Sequence, residues 1–347
     1  MVTANPVLVE LTRGPRIESS HRGAVAIADA SGAIVLALGD VGHTVYPRSS
    51  LKPLQALPLL ESGAAAAFGL SDEEVALACA SHSGEPMHTE RVRAWLTRLG
   101  LSVADLACGP HPIRDEPTRT AMLCAHQDPT PIHNNCSGKH TGFLTLAKHL
   151  GAPTAGYVQL EHEVQRAVQA VVAELGDLKS PLPWGVDGCA APNFALPLAA
   201  FARALAAFTA ADRHSPARAA AMQRILKAMT TYPELVSGTG RACAILMRAA
   251  QGRVVVKTGA EGVFAAIIPE RGLAIALKID DGATRASETA MAFLLDRLGL
   301  LAPDAAAQRL VCTPILNTKD TVVGACRAAP ALASLDLSAL APSVRSL

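Results

Sequence analysis

The chain has 347 residues and carries 31 basic and 30 acidic side chains, so its formal net charge is only +1. This balance lacks the positive excess with which a nucleic-acid-binding protein holds phosphates. Half of the residues are hydrophobic and 18% are charged, a composition that excludes an intrinsically disordered chain.

Apolar runs near the N-terminus predict strands. Residues 24–28 and 34–38 flank a turn signal and fit two strands of one hairpin. From residue 51 the pattern changes to leucines at a spacing of three, which is typical of a helix. Further helical stretches are 90–99, 161–175 and 192–210.

Beyond residue 241 the sequence predicts strands again. Four apolar runs on short connections indicate an antiparallel meander, at 242–247, 254–257, 264–268 and 273–279. A helix at about 283–298 and a short strand at 321–323 follow. Strands at both ends predict an α+β fold, in which an antiparallel sheet built from the N- and C-terminal strands is flanked by helices. We expect a single domain, 1–347, with a helical region inserted at about 50–240.

The sequence also predicts a cytoplasmic protein. Its longest apolar runs, such as 196–202, are much shorter than the roughly 20 residues of a membrane-spanning helix. The first seven residues lack a basic region followed by an apolar core, so we expect no secretory signal. The eight cysteines are scattered, which disfavours a disulfide framework and leaves metal binding or core packing. We expect neither a membrane nor nucleic acid as a partner.

The first segment suited to chemistry lies where strand-like sequence gives way to a helix. Ser49 and Lys52 are three residues apart, so on a helix they share a face and the amine can reach the hydroxyl. A serine needs a base to become a nucleophile, and a neutral lysine can be that base. The alternative is a serine cap followed by a solvated lysine. Taken alone, this short pattern favours the alternative.

A second segment begins at Lys257, which ends a predicted strand. Gly259 follows two residues later, where the backbone could approach a ligand, although a strand end before a glycine bulge is the more usual interpretation. With S-x-x-K upstream, K-T-G resembles the motif set of penicillin-binding proteins and serine β-lactamases. Its S-x-N element is not obvious. A hydroxyl-rich turn at 81–85 occupies the middle, which suggests a second pair, Ser81 with Lys257.

Two loops contain single cysteines. Cys136 lies in the polar segment 133–142, and Cys189 follows an aspartate and a glycine. These two thiols and a neighbouring histidine or lysine could hold zinc. Zinc ribbons show paired C-x-x-C motifs, however, so single cysteines at this separation are weak evidence for a metal.

Together these segments resemble the L-asparaginase II family of the rhizobial type. Five motifs carry the resemblance in the family's order, at 46–53, 81–85, 133–140, 187–189 and 257–262. The resemblance implies a fold like that of serine β-lactamases and glutaminases, a homodimer, and hydrolysis of L-asparagine to L-aspartate and ammonia.

The resemblance also implies the residues of the site. It assigns two catalytic serine–lysine tandems, Ser49 with Lys52 and Ser81 with Lys257. It assigns three zinc ligands, Cys136, Lys139 and Cys189. The substrate-binding candidates are Arg48, Asp187, His133 and Gly259, of which Arg48 suits the α-carboxylate and the Asp187 loop the α-ammonium group by charge. Since the serine already supplies a nucleophile, we expect zinc to support substrate binding more than chemistry.

Three other functions stay open at this point. A glutaminase or another small-amide hydrolase would use the same chemistry, because one methylene changes discrimination by only about 1–3 kcal/mol. A β-lactam-hydrolysing enzyme is less favoured, given the cysteine loops and the absence of a secretory signal. A non-enzymatic zinc- or amino-acid-binding protein would need Ser49 only as a helix cap.

Overall fold

The computed structural model describes residues 4–340, which form two compact units. The sheet unit comprises the described residues of Met1–Ser50, Leu196–Thr209 and Ile245–Leu347. The helical unit comprises Leu51–Ala195 and Ala210–Ala244.

The strands are β1 (Val7–Arg13), β2 (Arg16–Asp29), β3 (Ile34–Leu38), β4 (Thr44–Val45), β5 (Trp184–Val186), β6 (Pro192–Phe194), β7 (Leu196–Pro197), β8 (Val255–Thr258), β9 (Val263–Ile268), β10 (Leu273–Ile279), β11 (Cys312–Leu316) and β12 (Val322–Ala328). The helices are α1 (Lys52–Glu61), α2 (Ala64–Ala67), α3 (Asp72–Ala78), α4 (Pro86–Arg98), α5 (Glu116–Cys124), α6 (Ser137–Leu150), α7 (Glu163–Gly176), α8 (Leu198–Ala206), α9 (Pro216–Thr231), α10 (Pro233–Ser237), α11 (Ala242–Ala249), α12 (Thr284–Arg297), α13 (Ala305–Val311) and α14 (Pro330–Ala333).

An eight-stranded antiparallel sheet forms the centre of the sheet unit, in the order β11-β12-β1-β2-β10-β9-β8, with β3 also pairing with β2. The long strand β2 joins strands from the two ends of the chain, since residues 16–22 pair with β1 and residues 23–29 with β10. At this change of partner, a Cβ on Gly23 would lie 2.3 Å from the carbonyl oxygen of Lys278, so only glycine fits. The predicted α+β fold, with its sheet built from both ends, is confirmed.

Two predicted elements are wrong. Residues 242–247 form the start of α11 rather than a strand. The prediction failed because a short run of consecutive apolar residues has no periodicity that distinguishes a strand from a helix. The helix predicted over 192–210 begins only at Leu198, after the short strands β6 and β7. Pro197 stands at the N-cap of α8, where a proline ends the extended backbone without interrupting a helix.

In the helical unit, α1 packs against α6, α7 and α9, and α3 packs against α6 and α9. The start of α6 lies very close to α3, because a Cβ on Gly138 would be 2.4 Å from the carbonyl oxygen of Leu77. This close approach brings the segment after α3, which contains Ser81, beside the segment that contains Cys136 and Lys139. Among the helices of residues 4–340, none has the length and hydropathy of a membrane-spanning helix.

Candidate active site

The turn that carries Ser49 is a short 3₁₀ helix, Arg48–Leu51, which runs directly into α1. Arg48 has φ +53°, in the left-handed region that residues other than glycine rarely adopt. Such strain is typical of sites where the surrounding structure fixes a functional side chain. The N-cap of α1 is Leu51, and within residues 4–340 no side chain caps this helix. The interpretation of Ser49 as a helix cap is therefore wrong.

The end of β8 is held against this turn in the sheet unit. The Ser50 hydroxyl is fully buried and donates a hydrogen bond of 2.9 Å to the carbonyl oxygen of Lys257. A Cβ on Gly259 would lie 2.5 Å from the carbonyl oxygen of Pro47 and 2.9 Å from Ser50 Oγ. The segment that carries Ser49 and the strand that carries Lys257 are therefore in direct contact. Glycine is required at 259 by this contact, whether or not it binds substrate.

Lys52 and Ser81 meet in the helical unit. Lys52 begins α1 and is 1% exposed, so the solvated-lysine interpretation is also wrong. Its Nζ donates hydrogen bonds to Ser81 Oγ, at 2.9 Å, and to the carbonyl oxygen of Ala80. An amine in contact with a hydroxyl inside the protein is suited to proton transfer. The bond links one residue from each expected tandem, while the pairings Ser49–Lys52 and Ser81–Lys257 stay predictions.

The backbone around Ser81 is tied on both sides. The Ser81 N–H donates to the carbonyl oxygen of Val236 at 2.8 Å, and the His82 N–H donates to that of Asn135 at 3.1 Å. The His82 ring accepts from the Gly84 N–H at Nδ1, so Nε2 carries the proton and donates to Ser137 Oγ at 2.9 Å. Burial, followed by the charges of His88 and Lys52, holds the pKa of His82 well below its usual range. His82 is therefore a neutral support beside Ser81.

The three zinc ligands expected from the resemblance converge in the helical unit. Cys136 immediately precedes α6, Lys139 lies in its first turn, and Cys189 lies in the loop between β5 and β6. All three are buried, Lys139 Nζ donates to Cys189 Sγ at 3.1 Å, and Cys136 Sγ, which donates to Asn135 Oδ1 at 2.9 Å, interacts with Cys189. Residues far apart in sequence thus present two sulfurs and one nitrogen to one another.

Their charges are arranged as an ion pair. The interaction with Cys136 and the charge of Lys139 hold the pKa of Cys189 well below its usual value, against the effect of burial. The interaction with Cys189 and burial raise the pKa of Cys136 to about 12. Burial lowers the pKa of Lys139, but the charges of Cys189, Cys136 and Asp187 together raise it by more than burial lowers it. The pKa of Lys139 therefore lies above its usual value.

This donor set fits zinc. Thiolate sulfur and neutral nitrogen are ligands that zinc prefers, and three protein ligands leave a fourth position for water or substrate. Within residues 4–340 no group of three or more His, Cys, Asp or Glu side chains could hold a metal. A zinc site at this place therefore depends on the Lys139 amine, which, like the Cys136 thiol, must lose its proton when the metal binds.

The remaining substrate-binding candidates lie near the zinc candidates. Asp187 is half-buried in a tight turn beside Cys189, and its charge acts on Lys139. His133 is half-buried, and its Nδ1 accepts a hydrogen bond of 3.0 Å from the Thr130 N–H. Burial lowers the pKa of His133. Its ring nitrogen thus has a local structural partner, and a role in substrate binding stays a prediction.

One loop beside Ser81 was missed from the sequence. Residues Gly238–Arg241 follow α10, and the Thr239 N–H and hydroxyl both donate to the buried carboxylate of Glu85, at 2.8 and 2.7 Å. The signal was a threonine between two glycines, but it stood next to the run mistaken for a strand. Glu85 lies in the motif 81–85, and the sequence pattern assigns no role to it.

The contacts in each unit agree with the motifs found in the sequence. In the sheet unit the turn that carries Ser49 contacts the strand that carries Lys257, and in the helical unit Lys52 contacts Ser81. The chain belongs to the L-asparaginase II family, whose model matches residues 9–328. This match confirms the family that the sequence motifs resemble, and it supports an amidohydrolase.

No curated protein matches the chain. Solved structures to which it is similar include a putative β-lactamase from Bacteroides dorei, with 13% identity over 74% of this chain and 84% of that one and a TM-score of 0.42. A β-lactamase from Mycobacterium bovis shows 14% identity over 76% and 89%, with a TM-score of 0.38. Simvastatin synthase from Aspergillus terreus shows 11% identity over 76% and 90%, with a TM-score of 0.38.

Proposed function

We propose that this chain is an L-asparaginase, which hydrolyses the side-chain amide of L-asparagine to L-aspartate and ammonia. The observation that supports this most is the buried hydrogen bond between Lys52 Nζ and Ser81 Oγ, at 2.9 Å, in a chain of the L-asparaginase II family. A buried amine beside a hydroxyl has no need to exist for packing, whereas amide hydrolysis needs a base and a route for its proton.

In the proposed reaction, Ser49 Oγ attacks the amide carbon while the Lys52 amine accepts the hydroxyl proton. Backbone N–H groups near Ser49 stabilise the oxyanion of the tetrahedral intermediate, a contribution of about 3–4 kcal/mol in other hydrolases. The carbon–nitrogen bond then breaks, and the proton reaches the departing ammonia through the Lys52–Ser81 bond, with Lys257 assisting. Water attacks the resulting aspartyl ester, its proton returns by the same route, and aspartate leaves.

A zinc ion is part of the proposal. Cys136, Lys139 and Cys189 would hold it, because they present a donor set that suits zinc. When bound, zinc supplies a fixed positive charge that orients the substrate. We also propose that the active form is a homodimer, as the family resemblance implies, which light scattering of the purified protein would test.

A pair of serine variants tests the nucleophile. Ser49 does not cap α1, so Ser49→Ala should abolish ammonia release from asparagine while changing the unfolding free energy by less than about 0.5 kcal/mol. Ser215 does cap α9, since its Oγ accepts from the Arg218 N–H at 3.4 Å. Ser215→Ala should therefore lose about 1 kcal/mol of stability and keep full activity. Activity retained in Ser49→Ala would disprove the proposed nucleophile.

The acyl-enzyme and the substrate are identified separately. Rapid acid quenching during turnover, followed by peptide mass spectrometry, should locate the aspartyl group on Ser49. Comparing kcat/KM for asparagine and glutamine separates an asparaginase from a glutaminase. A ratio in favour of glutamine would replace the proposed substrate and keep the chemistry.

A further inference from the structure

The Gly238–Arg241 loop is built onto the segment that contains Ser81. Gly238 has φ +115°, and a Cβ there would lie 2.0 Å from Ser83 Oγ, so the loop backbone is pressed against that hydroxyl. Just upstream, the carbonyl oxygen of Val236 accepts the Ser81 N–H. The loop and the Ser81 segment therefore move together, and glycine at 238 is required by this contact.

The buried carboxylate of Glu85 binds this loop at Thr239. Its carboxylate is 8% exposed and accepts three hydrogen bonds, from Ser83 Oγ at 2.5 Å, the Thr239 N–H at 2.8 Å and Thr239 Oγ1 at 2.7 Å. Burying a carboxylate is costly unless hydrogen bonds compensate for the lost water. The three donors belong to two segments, which the carboxylate holds together. The position of the residues that follow Thr239 is thereby set relative to Ser81.

Arg241 ends this loop, and it differs from the other half-buried arginines of the helical unit. Arg91, Arg218 and Arg224 each form an ion pair with a carboxylate. Arg241 is half-buried, yet within residues 4–340 its side chain has no hydrogen bond and no ion pair. A half-buried arginine whose five N–H donors have no acceptor within the described residues is suited to binding a carboxylate from outside the chain.

We propose that Arg241 is a specificity-determining residue that binds the α-carboxylate of the substrate, and that Glu85 is the positioning residue that holds its loop. The inference rests on the proposed function, because it concerns recognition of asparagine. It differs from the assignment made on charge, which gave the α-carboxylate to Arg48. Arg241 is preferred because, within residues 4–340, its side chain has no partner and its loop is bonded to the segment that contains Ser81.

Two substrates that differ only in the α-carboxylate test the proposal. Asparagine carries this group, and 3-aminopropanamide lacks it but keeps the amine and the amide. In Arg241→Gln, kcat/KM for asparagine should fall by about 10- to 150-fold, the range for a hydrogen-bonded charge. kcat/KM for 3-aminopropanamide should stay within twofold of wild type. Arg166→Gln, an exposed arginine on α7, is the matched control and should change neither.

Glu85→Gln tests positioning, because its amide keeps one acceptor oxygen and loses the other. We expect KM for asparagine to rise about tenfold with little change in kcat. A merely structural role would lower the melting temperature and leave KM unchanged. Equal losses for both substrates in Arg241→Gln, or a carboxylate-dependent loss in Arg48→Gln and none in Arg241→Gln, would overturn the proposal.

Calorimetry separates the failure of this inference from the failure of the proposed function. L-aspartate should bind the wild-type protein more tightly than β-alanine, which lacks the α-carboxylate, and Arg241→Gln should remove that difference. A chain that hydrolyses no amide but shows this pattern would keep the carboxylate site and lose the asparaginase activity. Equal binding of L-aspartate to wild type and Arg241→Gln would overturn the site itself.

Discussion

The contact between Gly259 and the Ser49 turn makes a quantitative prediction for Gly259→Ala. The added Cβ would lie 2.5 Å from the carbonyl oxygen of Pro47, and ordinary van der Waals contact begins at 3.4 Å. The two segments must therefore separate by roughly 0.9 Å, since both sides of the contact are backbone or buried side chain. A displacement of this size in catalytic groups lowers the rate by about 100-fold. We expect kcat for asparagine to fall by about that factor.

The assay is steady-state ammonia release, with melting temperature and circular dichroism as the folding check. Overpacking should lower the unfolding free energy of Gly259→Ala by about 1–3 kcal/mol, which leaves a folded protein to measure. Gly42→Ala is the matched control in the same unit, because its nearest neighbour, Asp40 Oδ1, would be at an ordinary 3.4 Å. It should keep full activity. A folded Gly259→Ala protein with kcat within threefold of wild type would refute the reasoning.

Three further predictions concern groups around the site. Ser50→Ala removes the hydrogen bond to Lys257 without adding volume and should lower kcat at least tenfold. The control is Ser287→Ala, which loses an equally buried hydroxyl bond within α12 and should lower only the melting temperature. Equal kcat values for the two variants would contradict this prediction. Burial lowers the pKa of both His82 and its stacked neighbour His88. Below about pH 6.5, these two histidines therefore bind more protons in the unfolded chain than in the folded protein. Stability should then fall by up to about 1.4 kcal/mol per histidine and pH unit, and a melting temperature constant from pH 7.5 to 5 would disagree. Exhaustive chelation, or Cys189→Ser, should lower the zinc content found by elemental mass spectrometry and raise KM more than it lowers kcat; folded, zinc-free and inactive protein would instead assign the chemistry to the metal.

Several strands of the sheet could be predicted because their physical causes are local, whereas β1 and β11 were not predicted. β3 and β10 are apolar runs bounded by turns, and both occur at the predicted residues 34–38 and 273–279. The run 242–247 has the same composition but forms a helix, since packing against neighbours decides the state of a short apolar run. The order of the strands, with β2 between β1 and β10, is a long-range property that needed the structure.

The motifs of the candidate site could likewise be recognised in the sequence, but the contacts between them could not be predicted. A spacing of three placed Lys52 near Ser49, because helical geometry acts over one turn. The partner of Lys52 in the helical unit is Ser81, 29 residues away, and that contact depends on how α3 and α1 pack. Glu85 and Arg241 escaped notice for the same reason, since a buried acceptor and an unpaired donor are defined only by what surrounds them.

Lys52 offers the sharpest separation of stability from function. Its amine is buried, and burying an amine costs free energy that its bonds to Ser81 and Ala80 only partly return. Methionine has a similar length and no such cost. We therefore expect Lys52→Met to change the unfolding free energy by less than about 2 kcal/mol, because relief of desolvation offsets the lost hydrogen bonds.

The same substitution removes the proposed base, a role worth about 10²–10⁴-fold in rate. Lys227→Met, at a lysine whose side chain is 73% exposed in the same unit, should alter neither quantity and serves as the control. Urea unfolding and ammonia release, measured on the same preparations, give both numbers. If Lys52→Met unfolds the protein at room temperature, the amine is held for structure. If it keeps most of the activity, Lys52 is not the base, and Lys257 becomes the group to test.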